Sequence, residues 1–369
     1  MSHVLNKTNL SVFNNVSDDD QFGKSSSGTN PYYLIKTSLF AMVFVTGVIG
    51  NSFVISTVLR LNEMKTSCNY LIMTIAVADM GVAVLATPLR IVENYIGWPF
   101  GETVCRLLVP LQDVLVCVSV VAHTCIALER YRAIVTPFKQ MISRRKMKFV
   151  IIGLWIGCYI ALALPVAPLL AIVERNKKIV CKVLFPSKLY KRVFMMSLVS
   201  VFIVIPLLIQ TCSYCCIARC LGKKTLISES CSGLHQKRKR MIKMLLTSVV
   251  IFDICYLPRG ILMVLYMYGD RTTFPPEMKY INVIALVMYY VKHVINPVIL
   301  FAMSADFRAG FCALCKRGQS ENSQNTSSKR TSSNKLQMTR LSTMKKSADE
   351  QQNPIAAALL ENTPNCNNH

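Results

Sequence analysis

Charged residues are scarce in this chain of 369 residues: they make up 17% of it, whereas hydrophobic residues make up 52%. Soluble domains average about 25% charged residues, so the composition excludes an ordinary water-soluble protein. Acidic residues are the rarest group, 19 against 42 lysines and arginines. Such a basic excess can indicate nucleic-acid binding. Here the basic residues lie in short loops between apolar runs, which is typical of cytoplasmic loops beside a lipid bilayer. A nucleic-acid partner is therefore disfavoured.

The chain also has few of the groups from which enzymes and metal sites are built. Its five histidines and few carboxylates form no pattern of paired catalytic groups, so we expect no enzyme. Most of the 15 cysteines fall inside apolar runs, where a thiol behaves as a small hydrophobe. One group of four cysteines crowds a helix end without histidine or carboxylate, so we expect no zinc site: Cys212, Cys215, Cys216 and Cys220. No cofactor and no metal are predicted.

Long apolar runs, by contrast, dominate the chain. A helix needs about 20 apolar residues to cross a bilayer, and seven runs reach that length, near residues 32–60, 69–96, 102–135, 147–170, 189–220, 239–268 and 278–302. The sequence thus predicts an all-α integral membrane protein with a seven-helix bundle over residues 32–303. An extracellular N-terminus (1–31), a membrane-surface helix (304–317) and a disordered cytoplasmic tail (318–369) complete the predicted organisation.

Basic residues give the orientation. They cluster after the first, third, fifth and seventh runs, which places these loops and the C-terminus in the cytoplasm and the N-terminus outside. We therefore expect a multi-pass protein of the plasma membrane. One outer loop departs from this rule with five basic residues: Arg175, Lys177, Lys178, Lys182 and Lys188. These either steer an acidic ligand by long-range attraction or simply keep the loop soluble.

The N-terminal segment has no apolar core of the kind that signal peptides carry. It holds three acceptor sequons, at Asn6, Asn9 and Asn15. Three sequons in a short polar segment beside a membrane helix favour an extracellular, glycosylated end.

After the seventh run, Ser304 is a good N-cap for a short amphipathic helix on the inner leaflet. Cys312 and Cys315 in this helix are placed for palmitoylation, or they stay unmodified thiols. The remaining tail is rich in Ser, Thr, Asn and Lys, which predicts disorder. Its clusters of Ser and Thr beside Arg330 and Arg340 are candidate phosphorylation sites, or only a solvated tail.

Polar residues and prolines inside the runs need a role, because charges in a bilayer are costly. Each run has its own mark: Gly50-Asn51 in the first, Asp79 in the second, Cys105 and Glu129-Arg130-Tyr131 in the third, Trp155 in the fourth, Pro206 and Tyr214 in the fifth, Phe252 and Pro258 in the sixth, and Asn296-Pro297 in the seventh. Together, in this order, they resemble the rhodopsin-like (class A) G protein-coupled receptors, over residues 32–316.

The resemblance implies roles for these residues. Cys105 is expected to form a disulfide with Cys181 in the second outer loop, and an oxidising exterior permits this. The residues after Lys177 alternate like a strand, similar to the loop hairpin of peptide-binding members. Arg130 is expected to engage a heterotrimeric G protein, with Tyr214 supporting it. Pro206, Val120 and Phe252 are expected to form a packing switch, and the phosphorylated tail would bind arrestin and a receptor kinase.

Three departures from the family pattern concern activation. Tyr256 stands where the family has Trp, two residues before Pro258, and Leu300 stands where the motif after Asn296-Pro297 has Tyr. Arg238 replaces an acidic residue that often holds the arginine of the triplet. Since like charges repel, Glu129 is the remaining evident partner of Arg130, and high basal activity is one expected outcome.

A fourth departure concerns the polar core. In the family, an acid of helix two, a helix-three Ser and helix-seven Asn residues often hold a sodium ion, and Asp79, Ser119 and Asn296 match them. Lys292 lies one turn before Asn296, where the family has a neutral ligand. We hypothesise that its ammonium pairs with Asp79 and replaces sodium, since a buried cation needs a counter-ion. The alternatives are a pair with Asp253 or a water-filled gap.

The residues that bind two other classes of ligand in this family, amines and retinal, are missing here. Amine receptors of this family have an Asp where this chain has Gln112, and Asp113, one residue on, is rotated by about 100°. An amine or other small molecule therefore remains only as an alternative. Retinal would need a lysine at Tyr290, and Lys292 lies about 200° round the helix from it.

The remaining class of ligand is a peptide, and we expect a neuropeptide. Gln112 and the Trp98-Pro-Phe sequence are similar to peptide-binding members. Arg259 should face the pocket and either invite an acidic ligand group or pair with Asp113, and Arg90 and Glu93 add a polar rim. A transporter or channel is disfavoured, because no internal repeat is present.

Overall fold

The computed structural model describes residues 31–136, 142–175, 178–225, 232–269, 274–275 and 277–316, with Thr339 and Ser342 in the tail. The predicted glycosylation sites Asn6, Asn9 and Asn15, Arg238's side chain and most of the tail lie outside the described residues. The chain divides into two units, Met1–Gly310 and Phe311–His369.

Among the described residues of the first unit, seven helices are long and apolar enough to cross a membrane, which confirms the predicted bundle. Four of them are continuous: α1 (Pro31–Arg60), α3 (Gly101–Val135), α6 (Ser232–Tyr268) and α7 (Met278–Met303). The other three each contain a five-residue π-helical turn. They are α2 (Ser67–Gly81, Val82–Ala86, Thr87–Ile96), α4 (Arg144–Cys158, Tyr159–Ala163, Leu164–Val166) and α5 (Lys188–Val199, Ser200–Val204, Ile205–Thr225).

Side-chain caps begin three of the spanning helices: α2, α4 and α5. The hydroxyl oxygens of Thr66, Ser143 and Ser187 accept hydrogen bonds from the backbone N–H three residues on, at 3.2, 3.4 and 3.1 Å. Such a cap stabilises a helix by about 1 kcal/mol because it satisfies one of the free N–H groups of the first turn. The cap predicted at Ser304 is confirmed, since its Oγ accepts from the Phe307 N–H at 3.3 Å.

Helix α3 lies at the centre of the packed core. Its buried side chains include Val114, Val118 and Ala122, and it packs against α2, α4 and α5. The outer helices instead expose large apolar side chains such as Phe149 and Leu189, at 68% and 71%. A water-soluble bundle would hide such a surface, whereas lipid accepts it.

A β-hairpin lies between α4 and α5. Strand β1 (Leu170–Arg175) pairs antiparallel with β2 (Lys178–Val183), with Ile172 opposite Cys181, so the predicted strand is confirmed. Cys181 is joined to Cys105 at the start of α3 by a disulfide, with 5.8 Å between the two Cα atoms. Arg106 Nε also donates to the Leu170 carbonyl at 3.1 Å. The hairpin is thereby fixed to α3 at both of its strands.

Helical residues continue after α7. Residues 305–310 are helical at the end of the first unit, and residues 311–316 are helical in the second unit. Cys312 and Cys315 are both exposed.

Two glycines with positive φ shape the loop between α2 and α3. Because the space around them differs, substitutions at the two positions can be compared to test how tightly the loop is packed. Gly97 (φ 82°) leaves no room for a Cβ against the Ile179 carbonyl oxygen, whereas a Cβ at Gly101 (φ 78°) would meet nothing within 4 Å. That carbonyl accepts the Trp98 N–H at 2.6 Å.

We expect Gly101→Ala to cost about 1–3 kcal/mol from backbone strain alone. Gly97→Ala should cost clearly more, because the β2 carbonyl must shift and lose the Trp98 hydrogen bond. Thermal unfolding of the purified protein, followed with a thiol-reactive dye, compares the two variants. Equal unfolding temperatures would contradict this account of the loop.

Candidate functional site

The side chain of Asp79 on α2 is fully buried and is the centre of a polar network inside the bundle. Its Oδ1 lies 2.7 Å from His293 Nδ1 and accepts from Ser119 Oγ at 3.1 Å. Its Oδ2 accepts from Asn296 Nδ2 at 2.7 Å. An ionised carboxylate only accepts hydrogen bonds, so Nδ1 of His293 carries the proton in this pair. Donors from α3 and α7 therefore converge on one carboxylate of α2.

Lys292 is also fully buried, and it lies in the same network. Its Nζ is 3.6 Å from Asp79 Oδ1, donates to Ser119 Oγ at 3.0 Å and lies 4.6 Å from the centroid of the Phe252 ring. Of the three placements considered from the sequence, the structure has the one beside Asp79. Within the described part of the chain, Asp253 makes no ion pair with Lys292.

Several members of the network are absent from the sequence-based set of site residues. His293 is the nearest partner of the Asp79 carboxylate, and His123 Nδ1 lies 2.8 Å from the Ser119 carbonyl oxygen. Ser248 on α6 donates to Asn296 Oδ1 at 3.1 Å. The available signal for the two histidines was their position inside apolar runs, where an ionisable residue indicates function by default. Ser248 gave no comparable signal.

The aromatic side chains of α6 and α7 form a column above this network. Phe252 packs on His123 and Tyr256, with ring centroids 5.0 and 5.4 Å apart. Tyr256 stacks on Tyr289 at 5.7 Å, and Tyr289 meets Tyr290 edge to face at 5.3 Å. Since Phe252 also touches the Lys292 ammonium, the column connects the outer half of the bundle with the buried charges.

The residues predicted to bind ligand, here called the ligand cleft, lie at the end of this column that is remote from Asp79. Arg90 Nη1 and Glu93 Oε2 form an ion pair at 2.8 Å, and Arg90 also interacts electrostatically with Asp113 and with the Tyr290 hydroxyl. Asp113 is exposed, whereas Gln112 and Tyr290 are buried.

The basic neighbour of Asp113 in this cleft is therefore Arg90. Arg259 Nη1 instead donates to the neutral Asn282 Oδ1 at 2.8 Å.

The charged triplet lies near the C-terminal end of α3. Arg130 Nε is 3.0 Å from Glu129 Oε2, and both side chains are largely buried, at 12% and 6% exposure. The two groups do not meet at a hydrogen-bonding angle, and the buried Tyr214 hydroxyl has no hydrogen-bond partner among the described residues. The Arg130 guanidinium also lies beside the Cys68 thiol. Tyr131 is partly buried next to it.

A cavity lies between the polar network and the Tyr214 side chain. Its lining includes Asn51, His123 and Asn296 on the network side and Tyr214 on the triplet side. Leu300, which stands where the family has Tyr, also lines it. The described structure thus contains three groups of predicted residues: the ligand cleft, a buried network with Pro258 and Pro297 in the helices around it, and an inner charged site.

Comparison with known proteins agrees with this arrangement. Residues 50–300 match the family described as 7 transmembrane receptor (rhodopsin family). The RYamide receptor of Drosophila melanogaster is 29% identical over 324 residues, covering 84% of this chain and 69% of that receptor. Neuropeptide FF receptor 2 of Mus musculus is 29% identical over 300 residues (74% and 70%). Neuropeptide Y receptor type 2 of Homo sapiens is 30% identical over 281 residues (74% and 74%).

The Lys292–Asp79 contact can be tested by stability. Lys292→Met leaves the buried carboxylate without its ammonium, and breaking such a pair costs about 3–5 kcal/mol. Asp79→Asn combined with Lys292→Met removes both charges, so we expect the double variant to regain much of the lost stability. Lys146→Met, on an exposed side chain of α4, is the control. A Lys292→Met protein that unfolds at the wild-type temperature would refute the coupling.

Proposed function

The chain belongs to the rhodopsin family of seven-transmembrane receptors, and we propose that its ligand cleft binds an extracellular neuropeptide while its Arg130 site acts on a heterotrimeric G protein. A G protein-coupled receptor with a peptide ligand is what this membership and the relatives support together. One observation carries the peptide assignment: three related receptors are named for RYamide, neuropeptide FF and neuropeptide Y.

The charge pattern of the cleft supports a ligand with an acidic group. Arg90 is already flanked by Glu93 and Asp113. Arg259, by contrast, has a neutral hydrogen-bond partner, and no acidic side chain among the described residues pairs with it. A cation without a counter-ion favours a carboxylate from the ligand. The basic residues Lys178 and Lys182 of the hairpin would attract the same ligand from a distance.

The aromatic column offers a route from ligand to G protein. A ligand seated near Tyr290 would bias the packing of Tyr289 and Tyr256, and through them that of Phe252. Phe252 lies on the buried ammonium of Lys292, so a shift of α6 changes the environment of that charge. The helices would then have two arrangements, and one of them exposes Arg130 to the G protein. The bound ligand would determine how much of each arrangement is populated.

We further propose that Lys292 replaces the sodium ion of the family's polar core. The Lys292 ammonium already neutralises Asp79 and takes the Ser119 hydroxyl as acceptor. A free cation would have to share one carboxylate with a fixed positive charge, which Coulomb repulsion opposes. The residues around Asp79 therefore do not fit a bound metal ion.

The remaining assignments follow from the sequence pattern. We place the receptor in the plasma membrane with the N-terminus outside, because the basic loops would then face the cytoplasm. Glycosylation would fall on Asn6, Asn9 and Asn15, and acylation on the exposed Cys312 and Cys315. Arrestin and a receptor kinase would act on the phosphorylated tail.

The receptor assignment is tested by ligand-stimulated nucleotide exchange. A neuropeptide library is screened against cells that express the chain, and active peptides are then assayed for nucleotide exchange on a G protein in isolated membranes. We expect Arg130→Ala to abolish stimulated exchange while surface expression and peptide binding persist, because Arg130 lies at the inner end of α3. Arg132→Ala, two residues on, is the control. Ion flux without exchange would instead favour a transporter or channel.

The cation assignment is tested by a sodium titration at fixed ionic strength. We expect agonist affinity of the wild type to be independent of sodium, whereas Lys292→Ser opens a cation position and should let sodium change the affinity by at least about fivefold. Potassium at the same concentration controls for unspecific salt effects. A strong sodium-specific loss of affinity in the wild type would rule out the replacement.

A further inference from the structure

Asp253 is an acidic residue near the middle of a membrane span. It lies 13 residues after Arg240 and 15 before Tyr268, the ends of the α6 span. Its side chain is partly exposed, and it makes no hydrogen bond or ion pair with any other described residue. Lipid chains supply neither donors nor cations. An ionisable residue at this depth is costly unless a partner compensates it.

The direction of Asp253 follows from its neighbours on α6. A Cβ at Gly260 would meet Ile203 of α5, so that side of α6 faces α5. Asp253 precedes Gly260 by seven residues, about two helical turns, and so shares its side. Val250 and Ile254, its neighbours toward the lipid, are 47% and 56% exposed. Asp253 therefore lies at the edge of the lipid-facing surface, beside α5.

A second polar side chain lies at the same depth on α5. Because α5 and α6 run in opposite directions, two turns beyond Ile203 lead to Gln210 and Thr211. Gln210 is buried and donates to Thr124 Oγ1 at 2.8 Å. Thr211 is exposed, and its hydroxyl bonds to no other residue that the structure describes. Helix geometry thus puts a carboxyl and a hydroxyl, neither with a partner among the described residues, at the same depth on the lipid side of neighbouring helices.

We propose that this polar face, formed by Asp253 and Thr211, is a lateral docking site for a single-span membrane protein whose helix carries a lysine or arginine near its midpoint. Charge complementarity selects this partner. An ammonium or guanidinium pairs with the Asp253 carboxylate, and its remaining N–H donates to the Thr211 hydroxyl oxygen. Val250, Ile254 and Leu208 surround the polar pair with exposed apolar surface that a helix covers.

A second copy of this chain does not supply the complementary charge. At this depth the described spans carry one lysine, Lys292, which is fully buried beside Asp79. Two copies would meet only as carboxyl against carboxyl or hydroxyl. The site lies outside both the ligand cleft and the Arg130 site, so it does not depend on either assignment.

The test measures energy transfer between the labelled full-length receptor and labelled single-span peptides in vesicles of zwitterionic lipid. One leucine-rich peptide has lysine at its centre, a second has leucine there, and a third has the lysine moved five residues toward one end. We expect the centred lysine to strengthen association by about tenfold over leucine. The displaced lysine should lose most of this gain, because it no longer reaches the depth of Asp253.

Receptor variants assign the effect to the site. Asp253→Leu should bind the lysine and leucine peptides equally, and Thr211→Val should weaken the lysine peptide by a few-fold. Val250→Ala, an apolar change on the same face, should retain the preference. Each variant is first checked for wild-type thermal unfolding.

Equal binding of all three peptides to the wild type would overturn the proposal, and this comparison needs no variant. A lysine preference that persists in Asp253→Leu would also overturn it. Self-association of the receptor that depends on Asp253 and excludes the lysine peptide would assign the face to a second copy instead.

Discussion

The fully buried carboxylate of Asp79 aligns the helices in the interior of this receptor. Asp79 is removed from water in a bundle that is itself surrounded by lipid, so its charge must be compensated by other helices. Ser119 brings α3 to it, and His293 and Asn296 bring α7. Each of these bonds holds only in one register of the helices. The carboxylate therefore both costs stability by itself and, once paired, specifies how three helices are aligned.

The same charge explains the placement of Lys292 and the aromatic column above it. A lysine with no exposed surface persists because Asp79 and the Ser119 hydroxyl accept its charge and its hydrogen bond. Its contact with Phe252 then connects this charge to α6. Helix α6 thus contacts the polar network through Phe252 without bonding directly to Asp79. Ser248 gives α6 a second, neutral connection through Asn296.

On the Arg130 side of the polar network, the described side chains join the helices by fewer polar contacts. The family's Tyr after Asn296-Pro297 is Leu300 here, and Leu300 lines a cavity between the network and Arg130. The described side chains leave the Tyr214 hydroxyl beside that cavity without a partner. Arg130 itself is held by its neighbour Glu129 in the same helix. An ion pair within one helix does not fix α3 to α6.

The seven spans, the capped helix after α7 and the strand that contains Cys181 followed from the sequence alone. Apolar length, N-cap chemistry and alternation are local properties, and lipid admits little besides helices of sufficient length. The resemblance to class A receptors also placed Asp79, Ser119 and Asn296 in one core. Only the tertiary structure decided which partner Lys292 takes and what role His293 has. It also decided that Arg90 rather than Arg259 lies beside Asp113, and that Asp253 has no partner among the described residues. Helix rotation and depth relative to neighbours determine these contacts, and a periodic apolar pattern does not encode the distance between side chains on different helices.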